Sequence, residues 1–89
     1  MYFKIVKYAS KLVNFLDSYD VMVHEMHHKR KKDSPSGTAE IMAKIITSNI
    51  DRKTGTEFNA INGAVDDSKL HVSSTRGGEI TGKHTMYID

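Results

Sequence analysis

The chain has 89 residues, 13 basic and 11 acidic, a formal net charge of +2, 38% hydrophobic content and no cysteine. One small domain is the most it can build, burying about 60–65% of the surface its unfolded form exposes. The charge balance implies no general polyanion-binding surface. The missing cysteines exclude disulfide staples and thiolate metal sites, and no apolar run approaches the roughly 18 residues of a membrane span.

Residues 2–16, YFKIVKYASKLVNFL, set Tyr2, Ile5, Ala9, Leu12 and Leu16 at steps of three and four, with Lys4, Lys7, Lys11 and Asn14 off that stripe. The spacing predicts an amphipathic helix buried along the stripe. Asp17 to Asp20 break it, and the short run VMVHEM (21–26), bounded by polar turns and holding two valines, reads as a strand. The basic run Lys29 to Lys32 reads as a solvated loop. It lacks the interleaved aromatics of a nucleic-acid surface.

Asp33-Ser34-Pro35-Ser36-Gly37-Thr38 is a helix-start signature, in which Ser34 or Ser36 can cap and proline suits a first turn. The helix AEIMAKIITSNI follows, with Ala39, Met42, Ala43, Ile46 and Ile50 on one side. Turn formers fill residues 51–68, which read as a long loop. KLHVSSTR and KHTMYID then read as two strands joined by Gly77 to Gly82. This order predicts an α+β fold with a small mixed sheet and helices packed on it. No G-x-G-x-x-G follows a strand and no Walker loop occurs, so these residues bring no nucleotide-binding motif of their own.

His24-Glu25-x-x-His28 fits the H-E-x-x-H pattern of zinc proteases, which needs both histidines one turn apart on a helix. On a strand they stand about 13 Å apart, too far to share a metal. No third ligand follows at a recognisable spacing, with His71 and His84 only remote candidates. The expectation is therefore no metal.

From Glu25 the chain reads E-M-H-H-K-R-K-K-D-S-P-S-G-T-A, which closely resembles the dihydrodipicolinate reductase signature E-x-H-H-x-x-K-x-D-x-P-S-G-T-A. Glu25, His27, His28, Lys31, Asp33, Pro35, Ser36, Gly37, Thr38 and Ala39 fall in register. TRGGEITGKHT similarly resembles that family's R-x-G-x-x-x-G-x-H-T segment through Arg76, Gly78, Gly82, His84 and Thr85. The two blocks stand in the family's order, and the resemblance spans nearly the whole chain.

The resemblance implies an oxidoreductase of the diaminopimelate and lysine route that reduces a cyclic dicarboxylate with NADPH or NADH, as a homotetramer in the cytoplasm. It implies His27 and Lys31 as catalytic acids and His28, Ser36, Gly37 and Thr38 as substrate-binding residues. The residues' own chemistry agrees. Helix-start amides and a lysine suit two carboxylates, and a histidine suits proton transfer near neutrality. Arg76 and His84 match the second block with roles left open. Family members begin with a dinucleotide-binding domain, so residues 1–89 are expected to be part of the C-terminal substrate-binding and oligomerisation domain, with the dinucleotide-binding domain absent. Such a part should be inactive alone. The alternative is an orphan, non-catalytic domain that oligomerises or binds dicarboxylates. Neither reading calls for nucleic acid or membrane.

Overall fold

A computed structural model describes residues 1–89 as two helices and four strands. Helix α1 spans Tyr2–Asn14, strand β1 Val21–His27, helix α2 Gly37–Asn49, strand β2 Gly55–Glu57, strand β3 Lys69–Arg76 and strand β4 Lys83–Ile88. The sheet order is β2-β3-β1-β4. Strands β1 and β3 are parallel, as are β2 and β3, while β4 runs antiparallel to β1. The fold is thus α+β on a mixed sheet, as the order of elements predicts.

Alternation along β1 decides which way the sheet faces. Val21, Val23, Glu25 and His27 are buried, while Met22, His24 and Met26 are exposed or half-buried on the other face. Leu70 and Val72 of β3 join the buried side. The core is one cluster in which α2 supplies Ala39, Met42, Ala43 and Ile46, followed by Ile50. Those five are the face its periodicity predicts. Ser36 caps α2, its hydroxyl accepting the Ala39 amide at 3.2 Å.

Helix α1 departs from expectation. Its buried residues are Val6, Ser10 and Val13, whereas Tyr2, Ile5, Leu12 and Leu16 are exposed. Apolar residues cover more than half of this helix, so periodicity alone leaves two candidate stripes. The packing takes the narrower one, where Ser10 returns its hydroxyl to the Val6 carbonyl at 2.8 Å and leaves no polar group unpaired. The helix also ends two residues early, at Asn14. Beyond its end, Arg52 donates to the carbonyls of Val13, Leu16 and Tyr19, which a cation at a helix C-terminus satisfies well.

The 51–68 loop contains one strand that the sequence reading lacks, β2, whose Gly55, Thr56 and Glu57 pair with Lys69, Leu70 and His71. Three residues offer no alternation to read. Pairing to β3 makes them a strand. Nearby, Lys53 is 4% exposed, and its ammonium reaches the Asp67 and Lys69 carbonyls and Asp20.

Candidate active site

The two signature blocks meet where β1 ends. In the parallel register His27 stands beside Arg76, and in the antiparallel register Glu25 stands beside His84. Residues 49 and 59 positions apart are thereby brought together around one carboxylate.

That carboxylate is Glu25, with no exposed surface. Its Oε1 faces His27 Nδ1 at 3.1 Å and its Oε2 accepts the Ser36 amide at 2.6 Å. Arg76 grips both oxygens with its two terminal nitrogens and also donates to the Asp33 carbonyl at 2.8 Å. Burial opposes the charged form of Glu25. The Arg76 guanidinium, the Ser36 amide and His27 outweigh it and bring the carboxyl down from 4.5 to about 2. Glu25 is therefore an anion and an acceptor only. The same contact raises Arg76 further above its ordinary value.

His27 is 8% exposed, and its Nε2 has no partner within the chain. Gly82 lies against that nitrogen. A Cβ there would come within 3.0 Å of Nε2, and the residue's φ of +155° is itself one that side chains avoid. Glycine at 82 thus leaves the approach to Nε2 open. The His84 ring stands edge-on to His27 at 5.0 Å, and its Nε2 pairs with the Ser36 hydroxyl at 2.9 Å. Burial first, and then the neighbouring His27, lower the His84 pKa and favour its neutral form.

The residues expected to bind substrate lie at the start of α2 and in the turn after β1. The amides of Gly37 and Thr38 have no acceptor in the chain, since Ser36 takes only the Ala39 amide by its hydroxyl and the Glu40 amide by its carbonyl. Gly37 is exposed, and a Cβ on it would meet nothing within 4 Å. Thr38 is half-buried. Ser36 differs from its expected part. Its hydroxyl is already engaged twice, with Ala39 and His84, so it shapes the helix start as well as facing it.

His28 is half-buried on the turn, where its Nδ1 accepts the Arg30 amide at 3.2 Å. Lys31 closes that turn through its amide on the His28 carbonyl, and its ammonium holds Asp33 at 2.9 Å. His24 points to the other face, paired with Ser73 at 2.6 Å, and the H-E-x-x-H pattern runs along β1 with its second histidine, His28, just past the strand end, so no helix brings the two together. Arg30 pairs with Glu79 across the open surface. The residues with a part in the site that sequence reasoning left without a role are Glu25, Arg76, Gly82 and His84. All four sit at matched positions of the signature, and the missing information was their proximity.

The comparisons agree with one another. Residues 1–89 match the family model described as dihydrodipicolinate reductase, C-terminus. The 4-hydroxy-tetrahydrodipicolinate reductase of Rickettsia rickettsii is 41% identical over 78 residues, 88% of this chain and 32% of that protein. The one from Syntrophotalea carbinolica is 36% identical over 94 residues, 97% of this chain and 33% of that protein. Among solved structures, dipicolinate-bound dihydrodipicolinate reductase from Paenisporosarcina sp. TG-14 matches with a TM-score of 0.57 at 24% identity, over 91% of this chain and 33% of that one, a likeness of fold. The chain spans about a third of the length of these relatives. Matched by the family model from its first residue to its last, it belongs to the dihydrodipicolinate reductase C-terminal family.

Proposed function

We propose that residues 1–89 are the substrate-binding and oligomerising part of a 4-hydroxy-tetrahydrodipicolinate reductase of the diaminopimelate and lysine route. The observation that carries this reading is the junction of the two signature blocks. Glu25, His27, Ser36, Arg76 and His84 come from both blocks and form one bonded cluster beside two free helix amides. In this reading the Gly37 and Thr38 amides hold one carboxylate of a cyclic dicarboxylate at the positive end of α2, and Ser36 presents them by capping the helix. His28 and Lys31 hold the second, Lys31 exchanging Asp33 for the substrate. His27 gives up a proton from Nε2, with Lys31 as a second acid.

Reduction also needs a hydride, which NADPH or NADH supplies when bound. The residues here do not fit that cofactor, since they lack a glycine-rich strand-turn-helix. No step at the cofactor is assigned to them. The chain should accordingly oxidise neither cofactor by itself. No helix is long and apolar enough to cross a membrane. Placement in the cytoplasm and tetramer formation belong to the same reading.

The test is a titration of the ¹⁵N-labelled chain with pyridine-2,6-dicarboxylate, a planar mimic of the two carboxylates. Binding should be weak, on the order of millimolar, because two charged contacts of about 1–3 kcal/mol each are set against an association cost of several. Amide shifts should centre on residues 27–38. His28→Ala and Lys31→Ala should each weaken binding, and His24→Ala should not. Shifts confined to the 51–68 loop or the Gly77-Gly78 turn would refute the assignment.

A further inference from the structure

We propose that Glu25 is a positioning residue for proton delivery: its carboxylate holds the His27 ring with the hydrogen on Nδ1, so that Nε2 is the nitrogen that takes up and releases the proton. The proposal rests on His27 as proton donor in the reading above and adds the group that prepares it.

Glu25 and His27 are two residues apart on β1, so their side chains emerge on the same face and can meet. They do, at 3.1 Å between Oε1 and Nδ1. Glu25 cannot turn away, because the Ser36 amide and both terminal nitrogens of Arg76 fix its two oxygens. It is fully buried yet held as an anion by those donors, so it offers no hydrogen. The shared hydrogen must then sit on Nδ1. The other ring nitrogen has no partner in the chain, and at Gly82 there is no side chain to cover it. One nitrogen is anchored and the other is free.

The chemistry balances simply. The imidazolium carries hydrogens on both nitrogens. The Nε2–H bond breaks, its electron pair stays on Nε2, and the proton would go to the substrate, whose electron-rich form a hydride from a reduced nicotinamide held elsewhere would supply. The ring left behind is neutral, with its hydrogen still on Nδ1 facing Glu25, and water returns the lost proton. The bland alternative is that Glu25 serves only to pair with Arg76, with His27 merely adjacent. The two readings differ in one observable, the nitrogen that bears the hydrogen in the neutral ring.

Long-range ¹H–¹⁵N correlations of the histidine rings in the 89-residue chain measure this directly. In the unsubstituted chain at a pH where His27 is neutral, Nδ1 should give the pyrrole-type resonance and Nε2 the pyridine-type one. Glu25→Gln should exchange them. Its amide oxygen is wanted by two donors, the Ser36 amide and one Arg76 nitrogen, at the Oε2 position, which leaves the NH₂ against Nδ1. Nδ1 then becomes an acceptor and the hydrogen moves to Nε2. A neutral His27 with its hydrogen on Nε2 in the unsubstituted chain overturns the proposal, and so does a folded Glu25→Gln chain whose tautomer is unchanged. If Glu25→Gln does not fold, the unsubstituted chain decides alone. Loss of the expected dicarboxylate shifts at residues 27–38 with the Nδ1–H tautomer intact would instead refute the substrate reading and leave the role of Glu25 on His27 standing.

Discussion

Replacing Arg76 by methionine keeps most of the side-chain stem and removes the cation that holds Glu25. The carboxyl lies at about 2 in the fold against an ordinary 4.5, so at about 1.4 kcal/mol per tenfold change in proton affinity its ionised form contributes about 3 kcal/mol. The sign follows from the depressed value. That contribution is complete above pH 4.5 and fades as the pH falls toward 2. Breaking a buried pair from one side typically costs about 3–5 kcal/mol, because the remaining charge is stranded. For a small domain stable by about 5–15 kcal/mol, this is a large share. Urea unfolding followed by circular dichroism should show Arg76→Met less stable by about 3–5 kcal/mol at pH 7. The gap should close as the pH falls through 4.5, since the original chain loses its Glu25 contribution while the variant's Glu25 is relieved by taking up a proton. Asp20, Asp66 and Glu79 are also lowered and tilt both curves alike, while Asp33, lowered chiefly by Lys31, feels Arg76 only as its smallest cause. Adding Glu25→Gln to Arg76→Met should recover part of the loss. A gap that stays constant from pH 7 to pH 3 would refute the assignment of Glu25 as the buried anion at the centre of the site.

Three further outcomes follow from the geometry. Lys53→Met should lower stability by about 2–4 kcal/mol in the same urea assay, since two carbonyls and Asp20 lose a nearly buried cation; a loss under about 1 kcal/mol would show that water replaces it freely. Gly82→Ala should cost about 1–3 kcal/mol through its backbone angle and also move the His27 ring resonances, because the new methyl comes within 3.0 Å of Nε2; unchanged His27 signals would remove Gly82 from the site. Gly37→Val should leave stability within about 1 kcal/mol, since nothing lies within 4 Å of the added Cβ, yet abolish pyridine-2,6-dicarboxylate binding by covering the free amides.

Local physics governs how much of the fold was readable from the residues. Helix α2 was legible in its buried face because periodicity and packing point one way there. Its start was narrowed only to Ser34 or Ser36, and Pro35 stands before the Ser36 cap rather than in the first turn. In helix α1 periodicity and packing do not agree. Tyr2, Ile5, Ala9, Leu12 and Leu16 make as good a stripe as Val6, Ser10 and Val13, and only the presence of α2 against the second selects it. Strand β2 was illegible for a different reason. Gly55, Thr56 and Glu57 have no strand signal of their own and acquire their conformation from β3.

The site divides along the same line. The residues proposed to meet substrate, His27, His28, Lys31 and Ser36 to Thr38, lie within twelve positions, where a linear signature can display them together. The residues that hold them are distant, Arg76 being 51 positions from Glu25 and His84 48 from Ser36. Their partnership is a product of register, parallel for β3 and antiparallel for β4, and no spacing in the sequence encodes it. Glu25 shows what this costs. It stood in the signature as a matched letter, and as a lone glutamate on a strand it would be expected on the solvent face. The structure turns it inward because a cation from β3 and an amide from the start of α2 arrive to meet it. A glutamate buried on a strand with three donors converging on it is costly to keep unless the charge is used. What uses it here is the ring two residues further along the same face, whose free nitrogen is the one left open to solvent beside Gly82.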